Sequence, residues 1–360
     1  MRELLSQNSM LPFKAGTVRN PMRPSRPVGL VGSHICLEYP SRINAMAVDP
    51  SKVAISCGGC YTPGEVLMAI DMPIRVDITI SEGTGLNANT NRIALVSHVK
   101  GLMESAFGRP FAMTVNVSGQ EIAHCGFGSS GRLLASLAAG INALFGTPFS
   151  MAELQQYMAR NHGEEIAESE TMLVPVQCIG GALSSGLNKG GFQIIAGESR
   201  LIAAKQVPSS LKIVIGRPDF VPFKDSKQAM VAELANMEKF YRIGSEHGRE
   251  IAYRIVHEML PALYSDDYAG VGNVIEWYRY DLGSNEACSF SHPQMMDWAN
   301  ELRANKSRLG VLMCGISSVG PALYAVTEDP ESARDFLQKM GLITDVVGFW
   351  NDRFRVLEMG

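Results

Sequence analysis

Alternation of apolar and polar positions sets in at Ile35. Val66-Leu67-Met68-Ala69-Ile70 is a continuous apolar run, and Ile74-Arg75-Val76-Asp77-Ile78-Thr79-Ile80 alternates with period two. Both predict strands, the second half buried. The pattern lengthens to a helical period over 90–107 and returns to strand over 111–117. A glycine-serine turn at 126–131 leads into an apolar helix over 133–145. Gly146-Thr147-Pro148 stops that helix, and Ser150 is placed to cap the next one, Met151–Arg160. Five glycines within 180–191 predict a loop feeding the strand Phe192–Ala196, and 212–216 is a further strand. Helical regions follow over 227–263 and 266–280. The chain then gives a short apolar run at 310–314, a strand over 322–327, the helix Pro330–Lys339 and a closing strand over 353–357.

Helices and strands mix in both halves without a repeat, which predicts an α+β protein whose boundary falls near 200–210. Residues 1–36 stand apart. Pro21, Pro24 and Pro27 alternate with Arg19, Arg23 and Arg26, a spacing that suits an extended arm, either laid across a partner subunit or solvated. The expected units are this arm, a first domain over 37–205 and a second over 206–360.

At 360 residues the chain has material for roughly two domains of about 100–200 residues each. With 32 Lys+Arg against 36 Asp+Glu there is no basic excess, which argues against nucleic acid held by overall charge but leaves room for a local basic pocket. A hydrophobic share of 46% supports a large core. The apolar runs stop short of the ~18 residues that span a bilayer, so no membrane partner is expected. Seven scattered cysteines and a start without an apolar signal core predict reduced thiols in a cytoplasmic protein. Cys57-Gly-Gly-Cys60 has zinc-ribbon spacing but no second pair; it reads as a turn of small residues, or else as a redox pair or half a metal site.

Chemistry concentrates in three glycine-serine segments. Gly126-Phe127-Gly128-Ser129-Ser130-Gly131-Arg132 stands between a strand and a helix, where backbone N–H groups and hydroxyls favour an anion. It matches neither the GxxxxGK[ST] phosphate loop nor the complete dinucleotide fingerprint. Gly315-Ile316-Ser317-Ser318-Val319-Gly320-Pro321 repeats the composition beside another strand, and the two together can frame one anionic ligand. Ser184-Ser185-Gly186-Leu187-Asn188-Lys189-Gly190-Gly191 adds Lys189 as a counter-charge, or is simply a surface turn. Arg42 in Pro-Ser-Arg-Ile-Asn is an anion ligand if buried beside these loops and a surface ion-pair partner otherwise. Asp71 caps a strand end or aims at a metal or a ligand hydroxyl. Glu164 and Glu165, after His162, form a solvated face or bind a metal. His247 and His257 read as surface residues.

The three segments together resemble those of the GHMP small-molecule kinase superfamily. Within it the chain is more similar to the β-ribofuranosylaminobenzene 5′-phosphate synthase branch. PSRIN (40–44) resembles that branch's PSRLH, AIDMPIRVDI (69–78) its strand after a double glycine, here Gly58-Gly59, and KGGF (189–192) its GGF strand start. SSVGPALYAV (317–326) resembles SSWGPTVYAV. The resemblance covers nearly everything beyond residue 36. It implies a two-domain α+β fold, with a left-handed β-α-β crossover in the first domain and a ferredoxin-like second domain, in a homodimer. It also implies that 5-phosphoribosyl 1-diphosphate is joined to a ring carbon of an aromatic acid, with loss of CO2 and pyrophosphate and with Mg2+ as cofactor. Asn44 where that branch has His, GSSGR for GSGTQ and Val319 for Trp depart from it, and shift the expected acceptor toward a heteroaromatic acid such as an aminopyrazole carboxylate. The residues implied for catalysis are Arg42, Asn44, Asp71 and Lys189. Gly126, Gly128, Ser129, Ser130, Gly131 and Arg132 are implied for the diphosphate, and Ser317, Ser318 and Gly320 for the 5-phosphate. Ser130 and Glu164 are implied for the metal. The competing expectations are an ATP-dependent kinase on the same fold, with Asp71 as base or orienter, and a binding protein without turnover.

Overall fold

The computed structural model describes residues 11–22, 28–52, 63–119, 122, 124–166, 169–175, 180–223 and 226–360. The Cys57–Cys60 pair and the Gly58-Gly59 doublet lie outside the described residues.

The elements run in the order β1 (Phe13–Lys14), β2 (His34–Ala47), β3 (Glu65–Ser81), β4 (Leu86–Asn89), α1 (Ile93–Phe107), β5 (Ala112–Gly119), α2 (Ser129–Leu144), α3 (Met151–Arg160), β6 (Gly163–Ile166), β7 (Ser169–Pro175), α4 (Gly181–Leu187), β8 (Phe192–Ala196), β9 (Arg200–Lys205) and β10 (Lys212–Arg217). There follow α5 (Ser226–Arg254), α6 (Leu260–Tyr264), α7 (Tyr268–Glu276), α8 (Ser284–Ala287), α9 (Met295–Asn305), β11 (Val311–Ile316), β12 (Leu323–Thr327), α10 (Pro330–Lys339), β13 (Ile343–Val347) and β14 (Arg355–Met359). Wide π-type turns at Ile255–Met259 and Trp277–Asp281 extend α5 and α7.

The two strands predicted around Pro73 are one strand of 17 residues, β3. Proline lacks an N–H, and β2 and β3 carry Pro40 and Pro73 where their register shifts, between Tyr39 and Ser41. That bulge frees the carbonyl of Met72. Ser41 Oγ donates to it over 2.8 Å and Arg132 Nη1 over 2.9 Å, so the strand continues where the sequence pattern breaks. The loop expected over 180–191 contains the helix α4, whose small residues let it sit fully buried against α2 and β2. The cap at Ser150 forms as predicted, completed into a capping box by Glu153.

The main sheet has the order β14-β2-β3-β5-β4, with β8 and β9 joined to the first half of β3. β4 and β5 are parallel, with α1 making the crossover between them. The second sheet, β11-β12-β10-β13, is antiparallel throughout. With α5–α9 between β10 and β11 and α10 between β12 and β13, it is the β-α-β-β-α-β arrangement of a ferredoxin-like domain. The closing strand β14 leaves that unit and pairs with β2.

β2 and β3 serve two cores. Ile35, Leu37, Tyr39 and Ile74 through Ile80 pack under α1 and α2, whereas Ile43, Met46, Val66 and Met68 pack toward α7 and β12. The crossing from one core to the other falls at residues 40–44 of β2. The described parts of the arm lie on their own chain. β1 pairs with β7, the N–H groups of Arg19 and Asn20 donate to Asn161 Oδ1, and Val31 N–H donates to Leu144 O. Among the described residues no helix is long and apolar enough to cross a membrane, and Cys36, Cys125, Cys288 and Cys314 are buried free thiols.

Candidate functional site

Residues 42–45 of β2 are the platform on which two of the three glycine-serine segments meet. On one side, Arg42 N–H lies 3.5 Å from Phe127 O, and Arg42 Nη1 donates to Gly126 O. On the other, Ser318 N–H donates to Asn44 O over 2.9 Å, and Asn44 N–H donates to Ser317 Oγ over 3.2 Å. Ser317 Oγ in turn donates to Gly126 O over 2.8 Å, which closes the ring. Gly126, at φ +87°, lies so near that a Cβ would fall on the Ser317 carbonyl. Gly128, at φ +71°, would drive one into Ala182 of α4. The sharp turn at Gly128 starts α2 with the N–H groups of Ser129, Ser130 and Gly131 lacking intrahelical acceptors.

Behind this ring stand charges that the sequence reading did not single out. Glu65 begins β3 fully buried, with Oε1 2.7 Å from Arg42 Nε. Burial pushes its carboxyl up to about 7, while Arg42, the Gly181 N–H and Arg279 pull the other way. Arg279, in the turn after α7, is 2% exposed and donates to Ala45 O, Asn44 O and Ser318 O over 2.6, 2.9 and 3.0 Å. A buried guanidinium thus ties the late loop to β2. Glu65 had one sequence signal, a lone charge ahead of five apolar residues in a strand. Arg279 had none, because its partners are backbone carbonyls from distant segments.

At the start of α2, Ser130 Oγ donates to Glu164 Oε2 over 2.6 Å and accepts from Arg92 Nη2 over 2.7 Å. Arg92 also pairs with Glu165, so both carboxylates of β6 face inward rather than forming a solvated face. Burial lowers the pKa of His162, which is 5% exposed, against the pull of Glu164 3.7 Å from its Nε2. Glu233 of α5 is pushed up to about 7 by burial and by Glu164. Ser130 and Glu164 are hard oxygen donors within reach of one cation. They suit Mg2+, which takes few protein ligands and completes its shell from phosphate and water. Among the described residues no three His, Cys, Asp or Glu side chains converge on a metal position.

The structure therefore brings Arg42, Asn44, Gly126, Gly128, Ser129, Ser130, Gly131, Ser317, Ser318 and Glu164 into one neighbourhood. It does not bring in three others. Arg132 is 2% exposed and turned into the bulge, donating to Ser41 Oγ and Met72 O. Lys189 lies beyond the far end of α4, its side chain 67% exposed and 3.9 Å from Asp352. Asp71 is exposed on β3, its backbone N–H donating to Gly348 O. The Ser317 hydroxyl is spent on the ring, and Gly320 packs against Met295 and Ser291. His247 and His257 are on the surface, as expected.

No curated protein matches the chain. Residues 94–181, which span α1, α2 and the start of α4, match the family model "GHMP kinases N terminal domain". Among solved structures, homoserine kinase from Cytophaga hutchinsonii superposes with a TM-score of 0.58 at 16% identity, over 91% of this chain and 98% of that one. Mevalonate kinase of Methanococcus jannaschii gives 0.60 at 14%, over 89% and 100%. Mevalonate diphosphate decarboxylase from Staphylococcus aureus gives 0.61 at 12%, over 91% and 98%. At such identities the likeness is one of fold, and the chain has the two-domain α+β fold of the GHMP type.

Proposed function

We propose that this chain is a phosphoribosyltransferase that joins 5-phosphoribosyl 1-diphosphate to a ring carbon of an aromatic or heteroaromatic carboxylic acid. In the reaction the bond from C1 of the ribose to the diphosphate oxygen breaks, and a bond from C1 to the ring carbon forms. The carboxylate on that carbon leaves as CO2, and its electron pair restores aromaticity. No ring proton has to be removed, so no strong side-chain base is required. The observation that carries the reading is Arg42: a buried, ion-paired guanidinium set against the glycine loop, while Asp71 is exposed on β3.

The free N–H groups at the start of α2 meet the departing diphosphate as charge builds on it, an interaction worth several kcal/mol in favourable sites. Ser130 and Glu164 would hold Mg2+, which supplies further charge neutralisation when bound. Arg42 takes the acceptor carboxylate, and Ser318 with the late-loop backbone faces the 5-phosphate. A homodimer in the cytoplasm completes the proposal.

The fold likeness to homoserine and mevalonate kinases favours a second reading, an ATP-dependent small-molecule kinase using the same loop and the Ser130–Glu164 pair. One incubation separates the two. The purified chain with Mg2+ and an acceptor panel is followed for consumption of the ribosyl donor, release of pyrophosphate and hydrolysis of ATP. Pyrophosphate release with a C-riboside product is expected. ATP turnover with the ribosyl donor untouched rejects the transferase in favour of the kinase.

A further inference from the structure

Arg42 has a long side chain with several rotatable bonds, yet it is only 8% exposed and engaged at two of its nitrogens. Its Nη1 donates to Gly126 O of the glycine loop, and its Nε lies 2.7 Å from Glu65 Oε1 in an ion pair that lacks hydrogen-bond geometry. Glu65 is itself fixed from three directions. Arg42 faces it from β2, Gly181 of α4 packs against it, and the charge of Arg279 acts on it from the turn after α7. Gly181 is so close that any side chain there would overlap the carboxylate. Holding a carboxylate with none of its surface in water is costly, and the ion pair with Arg42 that offsets this cost faces the site.

We propose that Glu65 is a positioning residue: through Arg42 Nε it fixes the guanidinium beside the glycine loop, so that Arg42 meets the acceptor carboxylate in one orientation. This rests on the reading above in which Arg42 takes the acid. The sign of the effect is diagnostic. As a bare negative charge, Glu65 repels an anionic acceptor, and removing that charge tightens binding. As a positioning group its removal loosens binding, because the guanidinium is free to swing away. The raised carboxyl adds a pH signature: as pH falls through about 7, Glu65 takes up a proton and the pairing with Arg42 weakens.

The experiment is a double-mutant cycle with Glu65→Gln and Arg42→Gln, checked by thermal unfolding. It is read both by steady-state turnover and by calorimetric binding of 4-aminobenzoate and an aminopyrazole carboxylate to the pyrophosphate-loaded chain. Glu65→Gln is expected to raise the acid's KM and Kd about tenfold while kcat changes by less than about threefold. In the Arg42→Gln background it adds nothing. Wild-type KM rises on acidification across neutrality, and that of Glu65→Gln is flat. Should Glu65→Gln not fold, Glu65→Asp, which withdraws the charge by one methylene, gives the same direction at a smaller size. An unchanged or tighter acid affinity, or an equal penalty with and without Arg42, overturns the proposal. Coupling without ribosyl transfer rejects the reaction and keeps Glu65, and transfer without coupling rejects Glu65 alone. If the wild-type chain binds neither acid, both fail.

Discussion

The two ends of α4 share a composition and differ in everything else. At the N-terminal end, Gly181 and Ala182 touch Glu65, Gly128 and Gly131, and the nearest cation is the buried Arg42. At the other end, Gly190 and Gly191 pack on β9 and on Phe349 and Asn351, and Lys189 points into solvent opposite Asp352. Both ends present a glycine pair in the sequence, with Lys189 the neighbouring cation at the second end alone, yet only the first end faces the glycine loop. A cation contributes to an anion site when its charge is held out of water. The Lys189–Asp352 pair sits in water, where such pairs are worth about 0–1 kcal/mol.

The contrast is broken most directly at Gly128. A Gly128→Val chain must place a branched side chain at φ +71° into Ala182, which is expected to cost about 2–5 kcal/mol and to abolish donor binding, read by unfolding and calorimetry. The same change at Gly197, where an added Cβ would meet no atom within 4 Å, isolates the effect of φ from that of packing. Next in size is a pH effect on stability. Glu65 is raised in the folded chain to about 7 from 4.5, so the native state keeps a proton that the unfolded chain releases. Its contribution is complete below about 4.5 and is lost as pH rises through about 7. Wild-type Tm should therefore fall relative to that of Glu65→Gln across this window; parallel curves would show that the carboxyl is not buried as described.

Smaller again is Ser130→Ala, which removes the hydroxyl between Arg92 and Glu164. It should weaken Mg2+-dependent donor binding about tenfold, roughly 1.4 kcal/mol, with little change in Tm. The smallest effect is at Lys189→Ala, expected to stay within about 0.5 kcal/mol in stability and twofold in donor affinity. A large loss there would put the active cation at the wrong end of α4.

Most regular elements were legible in the sequence because their periodicity reports their own burial. The capped helix Met151–Arg160 and the helix Pro330–Lys339 fall where their signals are. β3 reads as two strands because Pro73 is a local breaker, and the residues that carry the strand past it, Ser41 and Arg132, lie 32 and more positions away in the chain. α4 reads as a loop in the sequence because five glycines say nothing about the buried niche that accepts a helix of small residues. The same limit governs the site. The glycine-serine segments are visible as composition, and the first and last of them meet on β2. Arg92, Glu65 and Arg279 stayed hidden because their importance lies in partners supplied by other segments. Arg132 and Lys189 turn away from the ring for a related reason: proximity along the chain does not fix the direction of a long side chain.

The last strand has a consequence for how the molecule is made. Until residues 355–359 leave the ribosome, the strand bearing Arg42 has one bare edge, a row of unsatisfied peptide groups open to any passing extended segment. The half that carries the glycine loop is therefore a hazardous fragment to express alone. Nascent chains stalled before β14 should be the ones that call on chaperones or clump, and adding back the missing ten or so residues as a peptide should relieve them.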